Sequence, residues 1–370
     1  MDRPRGCLGA SSWGHPPPCH CGDSLAGARR GPVHPIAAAY WHSGSGLHHL
    51  GRHRHSGHAD LAPLGPSPHV PTTDIIVTSR QPIAVLGATG NQGGHVARAL
   101  LEAGWPVHAI TRHPESPPAQ QLATLGARIV QADMGDVDTL IRAFDGACGI
   151  FSVQNFWELG LREEVRLGAN VIEAAKAIGT PHVVYSSGLG AEQIQGVAAI
   201  DGKAILEERL RRSELPFTIL RPGLFMDDFH GASLPFAGPI QRVLHNHRPL
   251  VGRLFLATLR GVVPKNSPIP LTTLHDVGRM VVWVLEHPGI VQGQAYQVVG
   301  STETTETLCT LWGQLMQQEI PRVPGIKITL HLVHPKMADL LSWLSQHQPA
   351  VNEGPLALQV YGDWLESFAP

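Results

Sequence analysis

The sequence predicts an α/β fold for residues 80–370, in which helices cover both faces of a parallel β-sheet. Short apolar runs of the kind found in buried parallel strands recur along this part of the chain. Segments with apolar residues at helical spacing lie between them. Because strand, helix and strand follow one another with short links, right-handed crossovers and one doubly wound sheet are expected.

Six strands and four helices are predicted in the first part of this body. The strands are 83–86, 107–110, 127–131, 149–153, 182–185 and 217–220. The helices, each with apolar residues on one face, are 92–103, 136–144, 162–178 and 201–213.

The alternation decays beyond Arg221. Helices are predicted at 275–286, 303–317, 333–345 and 355–367, and strands at 295–299 and 326–330. Together with residues 225–270, these elements are expected to form a small α+β C-terminal lobe, so that the body divides into 80–224 and 225–370.

The first 79 residues have a different composition. Twenty-one of the first 75 are Gly or Pro, and ten of the chain's 22 His are here. Such a segment cannot bury enough apolar surface to offset its ordering entropy, so a disordered Gly/Pro/His-rich tail is expected over 1–79. Its histidines and the Cys19-His20-Cys21 run have poor spacing for a metal, so a solvated tail is favoured over a weak metal site.

Charge and cysteine content exclude several classes of protein. The formal charge is −2, and it divides into +2 over residues 1–75 and −4 over the remainder, which disfavours a nucleic-acid partner. No apolar run of about 18 residues occurs, so no membrane span is predicted. The five scattered Cys do not form a disulfide framework, which suits a reducing, cytoplasmic compartment, and Cys148 and Cys309 are expected to be core residues.

A glycine loop lies between the first predicted strand and the first helix. Gly87, Gly90 and Gly93 have the spacing Gly-x-x-Gly-x-x-Gly. The first glycine permits a sharp turn, the second lets backbone N–H groups approach a pyrophosphate, and the third lets helix and strand pack closely. The pattern predicts a Rossmann-like dinucleotide site rather than a merely structural turn, with 80–224 mainly binding the nucleotide and 225–370 mainly forming the substrate side.

The ends of the second and third strands indicate which dinucleotide binds. Arg112 follows the second strand, where an NAD site usually has an acidic residue, so NADP(H) is predicted. Asp133 and Met134 follow the third strand and are placed to meet the adenine. An alternative is that Asp133 only caps the helix that begins at 136.

These motifs, together with segments 153–158, 201–203 and 221–228, resemble the NmrA-like proteins, atypical members of the short-chain dehydrogenase superfamily that include the HSCARG-type NADPH sensors. The resemblance covers residues 80–370. It implies a Rossmann fold, NADP(H) bound across the carboxyl edge of the sheet, and a small C-terminal lobe. Some members of this group sense redox state through the nucleotide and a protein partner, and others are reductases.

The resemblance also implies individual cofactor contacts. They are Gly87, Ala88, Thr89, Gly90, Asn91, Gln92 and Gly93 at the phosphates, Arg112 at the 2′-phosphate, Asp133 and Met134 at the adenine, Val153, Gln154, Asn155 and Lys203 on the ribose and nicotinamide side, and Phe225, Met226, Asp227 and Asp228 at the nicotinamide end. The last segment usually ends in Asn, so the hydrogen bonding at Asp228 departs from the pattern.

Hydride chemistry is left open by the sequence. Typical short-chain dehydrogenases use Tyr-x-x-x-Lys, but Ala199 stands four residues before Lys203. One expectation is a redox-sensing regulator, in which Lys203 only binds ribose and the partner is a protein. The other is an NADPH-dependent reductase of a small carbonyl, quinone or enone, with Lys203 as the acid/base. Ser186 and Ser187 follow the fifth strand, where a serine often orients a carbonyl, but without the tyrosine they are expected to be only hydroxyls at the edge of the ligand.

Overall fold

A seven-stranded parallel sheet organises the part of the chain that the computed structural model describes, which is residues 80–179, 181–230, 248–347, 351 and 354–367. The expected tail, 1–79, lies outside these residues. The strands are β1 Ile83–Val85, β2 Val107–Thr111, β3 Arg128–Gln131, β4 Gly149–Ser152, β5 His182–Ser186, β6 Phe217–Pro222, β7 Leu224–Phe225, β8 Pro268–Thr272, β9 Gln294–Val298 and β10 Ser301–Thr304.

The helices separate these strands. They are α1 Asn91–Glu102, α2 Pro117–Thr124, α3 Val137–Phe144, α4 Phe156–Ala177, α5 Ala198–Arg211, α6 Arg248–Val262, α7 Leu274–Glu286, α8 Pro288–Val291, α9 Thr305–Met316, α10 Ile326–Val333, α11 Pro335–Gln346 and α12 Tyr361–Glu366, with a 3₁₀ helix at Met226–His230. Helix α4 is kinked at Gly160, which has a φ of 75°.

The order of the large sheet is β3-β2-β1-β4-β5-β6-β9, and all of its neighbouring strands are parallel. One face is covered by α1 and α7, whose Val96, Leu100 and Val281 are fully buried against the sheet. The other face is covered by α3, α4 and α5. The predicted doubly wound fold is therefore confirmed, and the strand order reverses between β1 and β4, where such folds bind their ligands.

A second core lies in the C-terminal lobe. It surrounds the fully buried Met226, Phe229 and Tyr361, and Trp312 packs there at 1% exposure. The small sheet, with the order β10-β8-β7, borders it, and α6, α9, α10, α11 and α12 supply the helices. The lobe is thus α+β, as the sequence predicts.

The chain does not divide cleanly at residue 225. The strand predicted at 295–299 is present as β9, but it pairs in parallel with β6 and completes the large sheet. Helix α7 also packs on α1, against the nucleotide half of the fold. The assignment of these two elements to the C-terminal lobe is corrected accordingly, because an apolar run shows that a strand is buried but not which strand it pairs with.

Two elements of the lobe differ from the sequence prediction. Residues 326–330, predicted as a strand, are helical and belong to α10. Their Ile-Lys-Ile-Thr-Leu run alternates as a strand does, but Gly325, with a φ of 72°, starts a helix that packs between α6 and α11. The helix predicted over 355–367 is limited to α12 within the described residues.

Candidate functional site

The glycine loop lies where the sheet order reverses. Gly87 has a φ of 62°, a left-handed conformation that favours glycine. A side chain at Gly93 would collide with the carbonyl oxygen of Gly87, so only glycine lets α1 approach the end of β1 this closely. Gly90 precedes α1, whose first turn has no side-chain cap and no acidic residue. The amides of this turn therefore have no side-chain partner at a position suited to an anion.

Two hydroxyl contacts connect the loop to neighbouring strands. Ser186 at the end of β5 donates to Oε1 of Gln92, in the first turn of α1, across 2.6 Å. The hydroxyls of Thr89 and Thr111 lie 3.5 Å apart, which brings the loop against the end of β2. The predicted loop residues thus share one edge of the sheet with the ends of β2 and β5, because parallel strands end on the same side.

Arg112 follows β2 at this edge. Its side chain is exposed, and its guanidinium has no hydrogen-bond or ion-pair partner among the described residues. Only its carbonyl oxygen is used, by Nε2 of Gln131 at 3.3 Å. An unpaired guanidinium beside a glycine loop is available for two parallel hydrogen bonds to a phosphate.

Asp133 does not cap the helix that follows it. Its Oδ1 accepts the N–H of Gly135 at 2.7 Å, whereas Asp136 caps α3 by accepting the N–H groups of Asp138 and Thr139. The capping alternative for Asp133 is therefore wrong. Its carboxylate is exposed at the end of β3.

Gln154 contains a buried acceptor without a partner. The residue is 4% exposed, and its Nε2 donates to Oγ of Ser152 at 3.0 Å and lies 3.8 Å from Sδ of Met134. Its Oε1 is buried and has no partner among the described residues. Leaving such a group unmatched costs about 1–3 kcal/mol.

Val153 and Asn155, on either side of Gln154, each lie next to the backbone of another residue. Val153 lies next to Gly87, with its Cγ1 3.4 Å from the place of a Cβ there. Asn155 is exposed, and its Oδ1 accepts the N–H of Trp157 at 3.2 Å and so caps α4. Val153 therefore lies beside the glycine loop, and contacts of residues 153–155 with a cofactor stay a prediction.

Lys203 forms an ion pair that the sequence did not predict. Its Nζ donates to Oε1 of Glu164, in α4, at 3.0 Å. The Lys203 side chain is 18% exposed and the Glu164 side chain is fully buried. The stem of Lys203 lies against Gly188, so the ammonium is at the carboxyl edge just beyond β5. Glu164 was detectable as a charge on the apolar face of α4 that also carries Leu167 and Val171.

No phenol takes the place of the missing tyrosine within the described residues around Lys203. Ala199 is buried in the first turn of α5. Tyr185, in β5, is near enough to Glu164 to be affected by its charge. Its hydroxyl is buried without a partner among the described residues. Burial, reinforced by the carboxylates of Glu164 and Glu207, raises the pKa of this phenol well above its usual range. The Tyr185 phenol therefore stays protonated.

A second buried carboxylate lies beside this pair. Glu207, in α5, accepts from Oγ of Ser187 at 2.6 Å and from Nε and a terminal nitrogen of Arg221 at 2.9 and 2.6 Å. Arg211 adds a bond of 3.0 Å. Both oxygens of Glu207 are thus engaged, unlike those of Glu164, whose Oε2 is buried without a partner among the described residues.

The predicted segment 225–228 is largely occupied by structural contacts. Met226 is fully buried in the core of the C-terminal lobe, and Phe225 is half-buried. Asp227 accepts the N–H of Leu274 at 3.0 Å, and burial raises the pKa of its carboxyl group. Asp228 is 7% exposed. Cofactor contact by this segment stays a prediction.

The two described cysteines belong to the core of the protein. Cys148 and Cys309 are buried, as expected, and burial raises the pKa of the Cys309 thiol to about 11. Within the described ranges, no three His, Cys, Asp or Glu side chains are grouped as a metal would require. None of the described helices is both long and apolar enough to span a membrane.

Comparison with known proteins identifies the family of this chain. The model of the NmrA-like family matches residues 79–339. The NmrA-like family domain-containing oxidoreductase FrzB of Cladobotryum sp is 36% identical over 159 residues, which are 40% of this chain and 47% of that protein. The corresponding oxidoreductase himF of Aspergillus japonicus is 39% identical over 159 residues, or 40% and 48%. The chain thus matches about half the length of these relatives.

Solved structures show the same fold at lower identity. The NADPH-dependent quinone oxidoreductase QOR2 of Escherichia coli, complexed with NADPH, superposes with a TM-score of 0.59 and 22% identity over 77% of this chain and 98% of that one. NmrA, a negative transcriptional regulator in complex with NADP, superposes with a TM-score of 0.58 and 19% identity over 78% and 91%.

Proposed function

Because the chain belongs to the NmrA-like family, we propose that it binds NADP(H) at the carboxyl edge of the large sheet and acts as a redox-sensing regulator. The observation that carries the proposal is the unpaired guanidinium of Arg112, which follows β2 at the edge of the glycine loop, together with Gly93, where a Cβ would collide with the loop backbone. A dinucleotide phosphate matches both features, since its pyrophosphate needs close backbone approach and its 2′-phosphate needs a cation.

Several residues at this edge would hold parts of such a cofactor. The first turn of α1 would hold the pyrophosphate and Arg112 the 2′-phosphate. Val153, Gln154 and Asn155 would contact the ribose and nicotinamide side. Lys203 would donate to the nicotinamide ribose, since one of its three N–H groups binds Glu164 and the others are available. NADPH, when bound, supplies a hydride.

The regulator is favoured over an enzyme by the absence of a proton donor of the usual kind. Ala199 replaces the tyrosine, and the phenol of Tyr185 is buried with no access to a ligand. Proton transfer by a positioned side chain contributes about 10²–10⁴-fold to the rate of such reactions, so its loss lowers turnover strongly.

A second candidate is an NADPH-dependent reductase of a small carbonyl, quinone or enone. The relatives FrzB and himF are named oxidoreductases, and QOR2 is named a quinone oxidoreductase. The partly exposed ammonium of Lys203 is the group that would donate the proton. This candidate predicts NADPH oxidation that depends on Lys203.

Titration calorimetry tests the binding proposal. Arg112→Ala is expected to weaken NADPH by about ten- to a hundredfold, as the loss of a charge-assisted contact of about 1.5–3 kcal/mol implies, and to leave NADH nearly unchanged. Arg322→Ala is the matched control, because Arg322 is an exposed arginine of the C-terminal lobe. Equal affinities of the wild-type protein for NADPH and NADH would contradict the proposal.

Absorbance at the nicotinamide band separates the two candidates. The regulator predicts no oxidation of NADPH above the buffer rate with a panel of quinones, aldehydes and enones. Turnover of one of them that disappears in Lys203→Arg, while NADPH still binds, would favour the reductase.

A further inference from the structure

We propose that Glu164 determines how strongly the site discriminates NADP⁺ from NADPH, because its buried carboxylate neutralises Lys203. The inference rests on the proposed function, in which Lys203 faces the nicotinamide ribose. Glu164 itself acts through Lys203 and is therefore a positioning and charge-compensating residue.

Lys203 and Glu164 form an ion pair of one positive and one negative charge. Glu164 is fully buried, and Lys203 at 3.0 Å is the cation bonded to it among the described residues. The neighbouring buried carboxylate, Glu207, does not compete for the ammonium, because it is already bonded to Arg221 and Arg211. Lys203 and Glu164 therefore form a unit with no net charge.

Two glycines, Gly202 and Gly188, leave space for the Glu164 carboxylate and for the Lys203 side chain. A Cβ at Gly202, the residue before Lys203, would collide with Oε2 of Glu164. On the other side, a Cβ at Gly188 would lie 3.3 Å from Cδ of Lys203. Two positions without side chains thus admit the carboxylate and the lysine stem, so the pair depends on small residues around it.

The charge of the pair matters because the two forms of the cofactor differ in charge. The nicotinamide ring of NADP⁺ has a positive charge, and that of NADPH is neutral. An ammonium without Glu164 would repel the oxidised ring and leave the reduced ring unaffected. For unit charges roughly 10 Å apart at an effective dielectric constant of about 20, the repulsion corresponds to on the order of a tenfold change in affinity.

The test compares the dissociation constants of NADP⁺ and NADPH in folded variants. Glu164→Gln retains the shape and an acceptor for Lys203 but removes the negative charge. We expect the ratio of the NADP⁺ to the NADPH dissociation constant to rise on the order of tenfold. In Glu164→Gln combined with Lys203→Met, both charges are absent and the ratio should return toward the wild-type value. A purely structural role of Glu164 would weaken both nucleotides equally.

A second variant keeps the inference testable without changing either charged residue. Gly202→Ala displaces the carboxylate from Lys203 and should shift the ratio in the same direction. Gly362→Ala, in α12, is the matched control, because a Cβ there meets nothing within 4 Å. An unchanged ratio in folded Glu164→Gln, or in Gly202→Ala if Glu164→Gln does not fold, would overturn the inference. Failure of the wild-type protein to bind either nucleotide would instead overturn the proposed function.

Discussion

The two ends of the candidate site differ in how their charged side chains are buried and paired. The proposed phosphate end, around β1 and β2, consists of glycine backbone and the exposed, unpaired Arg112. The proposed nicotinamide end, beyond β5 and β6, contains buried charges that are already bonded to each other, Lys203 with Glu164 and Arg221 with Glu207. We therefore expect a substitution at the phosphate end to change nucleotide affinity with little effect on the free energy of unfolding, and a substitution at the nicotinamide end to change both.

The largest expected effect lies at the nicotinamide end. Lys203→Met removes the counter-ion of a fully buried carboxylate and should lower the free energy of unfolding by about 3–5 kcal/mol. Urea denaturation measures the loss. Adding Glu164→Gln removes the uncompensated charge and should restore most of the stability. Equal midpoints of Lys203→Met and the wild-type protein would show that the two ends do not differ as described.

A smaller effect is expected at Tyr185, on the same side of the sheet. Its hydroxyl is buried without a partner, so Tyr185→Phe removes an unmatched polar group and loses no hydrogen bond. The free energy of unfolding should stay the same or rise by up to about 1 kcal/mol. Thermal denaturation tests this, with Tyr361→Phe as a comparison, since that buried hydroxyl also has no partner among the described residues. A clear loss of stability in Tyr185→Phe would reveal a bond to Glu164.

The smallest effect on stability is expected at the phosphate end. Arg112→Ala removes an exposed side chain that bonds to nothing in the described part of the chain, so the free energy of unfolding should change by less than about 0.5 kcal/mol. The same urea denaturation series measures it without nucleotide. A loss comparable with that of Lys203→Met would contradict the division between the two ends.

The same division explains what the sequence predicted. The glycine loop and Arg112 are defined by local spacing and by their place after a strand, so their positions follow from the sequence pattern. The partners of Lys203 and Arg221 depend on how α4 packs on α5, which the spacing within either helix does not specify. Glu164 was visible only as a charge among apolar residues of α4, without an indication of its partner.

In the C-terminal lobe, the sequence pattern also fails to predict some whole helices and strands. Residues 326–330 alternate as a strand does, but Gly325 and packing between α6 and α11 make them helical. Strand β8 contains Pro268 and Pro270, which are atypical of strands, and helix α2 buries only Ala119 and Leu122, so neither element has a pattern from which it could be predicted. Conversely, α7 was predicted at 275–286 and found at Leu274–Glu286, since its apolar stripe is long and regular.

The pairing of β9 with β6 has a consequence for how the protein is made. The last strand of the large sheet is synthesised some seventy residues after the strand that it pairs with, and the elements of the other lobe lie between them. A nascent chain that has reached only residue 224 presents β6 as an open edge of unpaired N–H and C=O groups. Contacts of such long sequence separation slow folding and prolong this exposure. We therefore expect the large sheet to be completed only after residue 298 has been synthesised.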